Sequence, residues 1–296
     1  MSQRREFVDR PDAGSNDRLK NAIEREKAHY DEHRRYLLHF LEMDKTAFDR
    51  WLIRQILRTW DRQIAFIRSE WIRDRVVLEV GCGNPRVLFL FREMGAREAI
   101  GIDLSQKFVE TGLKQKRTYV HTRSPAVRPK AIRLIYGDVN SSITDGLAVD
   151  TIACFQALHH IDLAAFVDTC RRLLTRRGYV IISDPVGDHP LRGLGNLIGR
   201  MSGLLSPNER AISPGRVMSA FADGGFETVE FRSLNPTLEI YFQLTELLTP
   251  LSGRLAFYAK LPMALLRPLE TALENTLLKL FPRLGWRYFA VFRKED

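Results

Sequence analysis

Four short stretches of this chain carry residues able to do chemistry. The first is Leu78-Glu79-Val80-Gly81-Cys82-Gly83-Asn84, in which an aliphatic, β-branched run gives way to glycines. Glycine lets a backbone turn sharply and approach a ligand with no Cβ in the way. A strand, this turn and the helix expected after it therefore make a site for a nucleotide-like ligand. A dinucleotide fingerprint would need a further glycine at position 86, where Arg86 stands. Asp103, in Ile102-Asp103-Leu104-Ser105, follows at a spacing that suits hydrogen bonding to ribose hydroxyls. Gly137-Asp138-Val139 closes a third apolar run. His159 and His160 follow a fourth, in Phe155-Gln156-Ala157-Leu158-His159-His160-Ile161. An imidazole titrates near neutrality and can take the proton of a hydroxyl nucleophile.

The elements that must position these residues alternate in type. Strands are predicted near 75–80, 98–102, 132–136, 150–154 and 179–184, with helical segments between them. That alternation implies a parallel sheet with its ligand at the carboxyl ends of the strands, where all four stretches fall. Thr118 to Lys130, basic and carrying Pro125 and Pro129, reads as a loop. Leu173 to Gly178 reads as a helix end and its glycine stop. Beyond Pro185, the apolar, glycine-interrupted stretch Leu191 to Leu205 suggests a short mobile helix or lid. Ser213-Pro214 has the form of an N-cap with proline in the first turn, for a helix ending at Gly224-Gly225. Strands at 226–231 and 286–292 then enclose a helical insertion at about 234–284. Its clearest helix starts after Pro268 and lines up Leu269, Leu273, Leu277 and Leu280, with Glu270 and Glu274 elsewhere. Such a stripe is narrow enough to dock on the domain itself.

The ordered set Glu79-x-Gly81-x-Gly83, Asp103, Gly137-Asp138-Val139, Val149 to Ile161 and Tyr179 to Pro185 resembles the class I S-adenosylmethionine-dependent methyltransferases, small-molecule type. The resemblance covers residues 73–232 and the last strand; Pro85 stands where the family usually has a third glycine. It implies an α/β fold, Rossmann-like and doubly wound, on a mostly parallel seven-stranded sheet, with 73–296 as the methyltransferase domain. It also implies S-adenosylmethionine as cofactor, held by Glu79, Gly81, Cys82, Gly83, Asp103, Leu104, Asp138, Val139, Phe155 and Gln156. His160 matches a histidine common in such enzymes and is the preferred base, with His159 beside it and His189 a rival. Adenine-amine methyltransferases carry an Asn/Asp-Pro-Pro-Tyr/Phe tetrapeptide where Phe155-Gln156-Ala157-Leu158 stands, and RNA cytosine enzymes a cysteine beside proline. Neither is here, so the expected acceptor is a small organic molecule, lipophilic in one version, with O-methylation favoured. An RNA or protein methyltransferase, and a non-catalytic cofactor-binding subunit, are the alternatives.

The 296 residues are 45% hydrophobic with a net charge of +9, which fits a folded protein with a basic surface. Arginine is spread along the whole chain, which argues against a nucleic-acid-binding block. Cys82, Cys154 and Cys170 form no C-x-x-C pair, so a reducing, cytoplasmic setting is expected and no cysteine zinc site. Neither a signal peptide nor an unbroken transmembrane run stands out. Residues 1–16 read as a disordered tail and 17–72 as an N-terminal helical cap. His29 and His33 have the spacing of a metal pair but no third ligand, so no metal is expected, and Tyr30 could help cover the cofactor. A capping box at Thr46 and Asp49 starts a helix whose apolar stripe, Phe48, Leu52, Ile56, Trp60, Ile64, Ile67 and Trp71, implies one rod of about six turns. Arg50, Arg54, Arg58 and Arg62 make a second stripe, solvated or facing an anionic partner. In the insertion, leucines between Ala256 and Phe281 combine with Lys260, Arg267, Lys279, Arg283 and Arg287. That mixture suits internal packing, a dimer contact or a peripheral contact with an anionic membrane.

Overall fold

The computed structural model describes residues 46–123, 131–201, 205, 211–248 and 253–296. The expected tail, the helix over 17–40 with Tyr30, His29, His33 and His39, and the side chains of Arg50 and Arg54 lie outside the described residues. The sheet is built from β1 (Val76–Val80), β2 (Glu98–Asp103), β3 (Ile132–Tyr136), β4 (Val149–Phe155), β5 (Leu174–Pro185), β6 (Phe226–Leu234) and β7 (Arg287–Lys294). Their order is β3-β2-β1-β4-β5-β7-β6, seven strands in all. The first five run parallel, and β7 lies antiparallel between β5 and β6. The strand order reverses between β1 and β4, which is where an open α/β sheet leaves its ligand crevice.

The helices are α1 (Ala47–Trp60), α2 (Arg86–Glu93), α3 (Gln106–Arg123), α4 (Leu163–Leu173), α5 (Arg192–Met201) and α6 (Pro214–Asp223). In the insertion follow α7 (Leu238–Glu246), α8 (Gly253–Tyr258), α9 (Leu261–Asn275) and the single turn α10 (Leu277–Leu280). No described helix is long and apolar enough to cross a membrane. Side chains alternate along each strand, so the sheet feeds a core on both faces. Leu78 and Val80 pack with Phe166, Phe221 and Phe292 on one side. Val77 packs with Trp71, Leu88, Phe91 and Phe289 on the other.

Several local expectations hold. Thr46 and Asp49 exchange hydrogen bonds, Thr46 N–H to Asp49 Oδ2 at 2.9 Å and Asp49 N–H to Thr46 Oγ1 at 3.1 Å, closing the capping box. Ser213 Oγ accepts from Arg216 N–H at 3.4 Å with Pro214 in the first turn of α6, and Gly225 ends that helix at φ +79°.

Others are overturned, each for a physical reason. The N-terminal stripe is not one rod. α1 stops at Trp60, and 3₁₀ turns over Arg62–Phe66 and Ser69–Trp71 follow. The stripe serves two cores: Ile56 packs with Leu238, Phe242 and Met263 of the insertion, whereas Ile64, Ile67 and Trp71 pack on the sheet. A straight helix could not reach both. The arginine stripe is broken as well, since Arg62 is spent on Glu274 while Arg58 stays exposed. α3 continues to Arg123, into the stretch read as a loop from Thr118. Gly178 does not end a helix, because β5 begins at Leu174 directly after α4. It sits within the strand where a Cβ would come 3.1 Å from Asp150 O and 2.8 Å from Leu174 Cδ2. Pro268 lies inside α9, whose start is set by Pro262 in its first turn.

The largest departure concerns which face of α9 is inside. Glu270 and Glu274 are buried, while Leu269 and Leu280 are exposed. Glu270 accepts from the backbone N–H of Thr237 (3.2 Å) and Leu238 (3.0 Å) and from Thr237 Oγ1 (2.6 Å), capping the start of α7. Glu274 accepts two bonds from the Arg62 guanidinium, at 2.8 and 2.6 Å, and one from Asn235 N–H at 3.2 Å. The carboxylates fasten the insertion, and the leucine stripe docks only in part, with Leu273 and Leu277 half-buried between the exposed Leu269 and Leu280. Of the basic residues singled out in this segment, Lys260 is fully buried over the Phe242 ring, Arg267 is half-buried, and Arg287 is buried against Glu239, as internal packing requires. Lys279 and Arg283 are exposed.

Candidate active site

The site is built where β1, β2, β3, β4 and β5 end on one edge of the sheet. β1 delivers Glu79 and the turn Gly81-Cys82-Gly83. Gly81 and Gly83 have φ of +67° and +43°, in the left-handed region that favours glycine. A Cβ on Gly81 would also collide with the Ala157 side chain from the segment after β4. Gly81 and Cys82 both donate to Ile102 O, at 2.9 and 3.1 Å, tying the turn to β2.

Asp103, at the end of β2, holds the turn through its carboxylate. Oδ2 accepts from Gly83 N–H at 2.7 Å and Oδ1 from Ser105 N–H at 2.8 Å. The β3 end is joined by Gly137 N–H donating to Asp103 O at 3.0 Å. Asp138 then organises its own turn, Oδ1 accepting from Asn140 N–H at 2.9 Å, with Val139 buried behind it. Leu104, Asp138 and Gln156 are half-buried, and Phe155 is buried against Phe91. Gln156 takes φ +53° and donates its N–H to Ser183 O at 2.7 Å, which couples the ends of β4 and β5. Pro85, where a glycine was expected, starts α2 and packs against α3 at Gly112.

Glu79 is the electrostatic centre of the turn. Its side chain is buried and Oε2 has no hydrogen-bond partner among the described residues. Burial first, and the Asp103 charge second, push its carboxyl well above the ordinary range. An acceptor oxygen left buried without a donor is costly unless a ligand supplies one. The orphaned oxygen, the left-handed glycine turn and the two further acids fit a cofactor carrying an ammonium group and ribose hydroxyls. Cys82, Cys154 and Cys170 are buried; burial raises the thiols of Cys154 and Cys170 well above their usual value, so both are packing residues.

The histidines separate into three roles. Leu158–His160 form a 3₁₀ turn after β4. His159 is buried, and its Nδ1–H donates to Asp184 Oδ1, 2.8 Å away, a carboxylate with no exposure at all. His160 is half-buried and its ring lies 4.0 Å from that of His159. His189 belongs elsewhere: its ring stacks on Trp286 at 4.1 Å and Nδ1 accepts from Leu191 N–H at 3.0 Å. Burial, then the Arg192 charge, lower its pKa, and the neutral ring introduces α5. Asp184, the residue that orients His159, went unrecognised in the sequence. Its signal was a carboxylate ending the apolar run Tyr179-Val180-Ile181-Ile182-Ser183-Asp184 at a ligand-facing strand end. Ser183 Oγ, Asp184 Oδ2 and Tyr288 Oη are buried with no hydrogen-bond partner among the described residues. Among the described residues no group of three or more His, Cys, Asp or Glu side chains could hold a metal.

A family model described as a methyltransferase domain matches residues 78–182. One curated relative, the tRNA U34 carboxymethyltransferase of Cellvibrio japonicus (strain Ueda107), is 34% identical over 74 residues. That match takes in 25% of this chain, and the chain spans only 20% of the relative's length. Among solved structures, mycolic acid cyclopropane synthase CmaA1 complexed with SAH and CTAB superposes with a TM-score of 0.62 at 18% identity, over 92% of this chain and 98% of that one. Magnesium protoporphyrin IX methyltransferase (ChlM) from Synechocystis PCC 6803 with bound SAH gives 0.54 at 15% identity, over 94% and 99%. A putative sarcosine dimethylglycine methyltransferase from Galdieria sulphuraria gives 0.55 at 17%, over 81% and 86%.

Proposed function

Because the chain carries a class I S-adenosylmethionine-dependent methyltransferase domain, we propose that it methylates a hydroxyl group of a small, lipophilic organic acceptor. The observation that carries the reading is the buried His159–Asp184 hydrogen bond beside the turn that holds Glu79.

S-adenosylmethionine supplies a methyl group made electrophilic by the sulfonium. The residues that would hold it are Glu79 toward the ammonium, Asp103 toward the ribose, and Asp138 with Val139 toward the base. The turn at Gly81 and Gly83 leaves room for the chain to run beside it. What the rest of the protein contributes is position, dehydration and a proton acceptor. With Nδ1–H given to Asp184, the His159 tautomer that results has a lone pair on Nε2. That nitrogen takes the acceptor's hydroxyl proton as the oxygen gains the methyl. Asp184 fixes the tautomer and stabilises the imidazolium that forms, as carboxylates do behind catalytic histidines. His160, half-exposed on the same turn, borders the acceptor.

The test is transfer of radiolabelled methyl from S-adenosylmethionine to a panel of hydroxylated, lipid-soluble acceptors. His159→Ala lowers kcat by about a hundredfold or more while leaving cofactor affinity intact. Asp184→Asn lowers kcat and shifts the acid limb of the pH–rate profile, which a merely structural loss would not do. Transfer to RNA in place of every small acceptor, with strongly salt-dependent RNA binding, would replace this reading with the nucleic-acid one.

A further inference from the structure

We propose that the helices crowning the catalytic edge of the sheet are an adsorption surface for an anionic phospholipid membrane. Two of these helices each expose a row of large apolar residues. α5 packs through Gly195, Ile198 and Gly199, and a Cβ on Gly195 would come 2.7 Å from the Trp286 ring. Three of its apolar residues, Leu194, Leu197 and Met201, face outward, Met201 at 69% exposure. α9 buries Glu270 and Glu274 and exposes Leu265, Leu266 and Leu269, Leu265 at 68%. Leu280 and Phe281 continue the pattern at 76% and 56%. A water-facing helix ordinarily shows the reverse arrangement, and exposed apolar residues gathered on adjoining elements mark an interaction site.

The location connects this surface with the site. Both Pro185 of β5 and Leu234 of β6 pair with Arg287 at the start of β7. α5 follows the end of β5, and the whole insertion hangs between β6 and β7. Both therefore rise from the edge that carries Glu79, Asp103 and His159. α5 packs on α7, and α7 on α9, so the two outward faces belong to one cap.

The charges select the occupant. On α5 and across residues 253–284 the exposed charged side chains are Arg200, Arg254, Lys279 and Arg283, all cationic. The only carboxylates in those segments, Glu270 and Glu274, are buried; Arg283 is partly offset by Asp188 at 3.2 Å. Exposed apolar side chains on segments whose exposed charges are all cationic complement a bilayer with anionic headgroups. A two-fold contact with a second copy would set these like charges against one another. The inference draws on the proposed function for its purpose alone, delivery of a membrane-dissolved acceptor to the site.

The experiment is flotation of the full chain with phosphatidylcholine vesicles, with and without phosphatidylglycerol, at low and high salt. The protein floats with the anionic vesicles, less so at high salt. Leu265→Glu with Leu269→Glu, and separately Leu194→Glu with Leu197→Glu, each reduce partitioning about tenfold or more. Arg254→Glu with Lys279→Glu reduces it about tenfold and flattens the salt dependence. Retained affinity for S-adenosylhomocysteine shows that each variant is folded. Absence of flotation with either vesicle, flotation unaffected by both leucine pairs, or a dimer in light scattering that the leucine changes dissolve would each overturn the proposal. Flotation by a protein that methylates no lipid-soluble acceptor would leave the surface standing and remove the acceptor assignment.

Discussion

Glu79 has one carboxylate oxygen buried without a donor among the described residues, and its proton is held to a pH well above the ordinary carboxylate range, chiefly by burial. A cationic amine arriving beside it favours the charged form and draws that pKa down. Cofactor binding in the window between the ordinary and the raised value should therefore release a proton. Calorimetry of S-adenosylhomocysteine binding in two buffers of different ionisation enthalpy measures it directly. Glu79→Gln should abolish the release and weaken binding by about 1–3 kcal/mol, the scale of a hydrogen bond to a charged group. Proton release persisting in the variant would assign it to another residue. Asp103 is less simple to probe, because its carboxylate also accepts from Gly83 and Ser105 N–H. Asp103→Ala would loosen the turn together with removing the proposed ribose contact.

At the scale of an element, α9 inverts the usual relation between composition and stability. Removing the Glu274 carboxylate leaves Arg62 and Asn235 N–H without their acceptor in a mostly dehydrated place. Glu274→Ala should cost about 3 kcal/mol, in the range for breaking a buried pair from one side. Leu269→Ser on the same helix should stay within about 0.5 kcal/mol, as exposed positions do. Urea denaturation of the two variants compares them, and the opposite ranking would mean that the leucine face is the packed one. The same logic explains α5, where glycine at 195 is required by the Trp286 ring and not by a turn.

For the whole molecule, the buried Glu79 links stability to pH. Its folded pKa is raised, so the unfolded chain gives up this proton first as pH rises. The ligand-free protein therefore loses this contribution progressively from the ordinary carboxylate value up to the raised one. Ligand binding opposes the loss, and binding to the native state alone adds stability by mass action. The gap in Tm between the S-adenosylhomocysteine complex and the free protein should widen with pH across that window. In Glu79→Gln the gap should stay level; an equal widening in both proteins would rule Glu79 out as the linked group.

The sheet, the order of its landmarks and the glycine turn after β1 were legible in the sequence. Those depend on chain-local features: alternating apolar runs, glycines at positions of positive φ, and acids placed where strands end. Gly81, Gly83, Asp103 and Asp138 carry their meaning within a few residues of themselves. Only the tertiary structure decided which histidine is held, since His159 and His160 are neighbours and Asp184 lies 25 residues further on. It also decided the orientation of α9. Periodicity shows that a helix has two unlike faces, but the partners that fix its rotation, Thr237 and Arg62, lie 33 and 212 residues from the carboxylates they bind. With those bonds inside, Leu265, Leu266 and Leu269 are turned outward, away from the interior to which hydropathy assigns them.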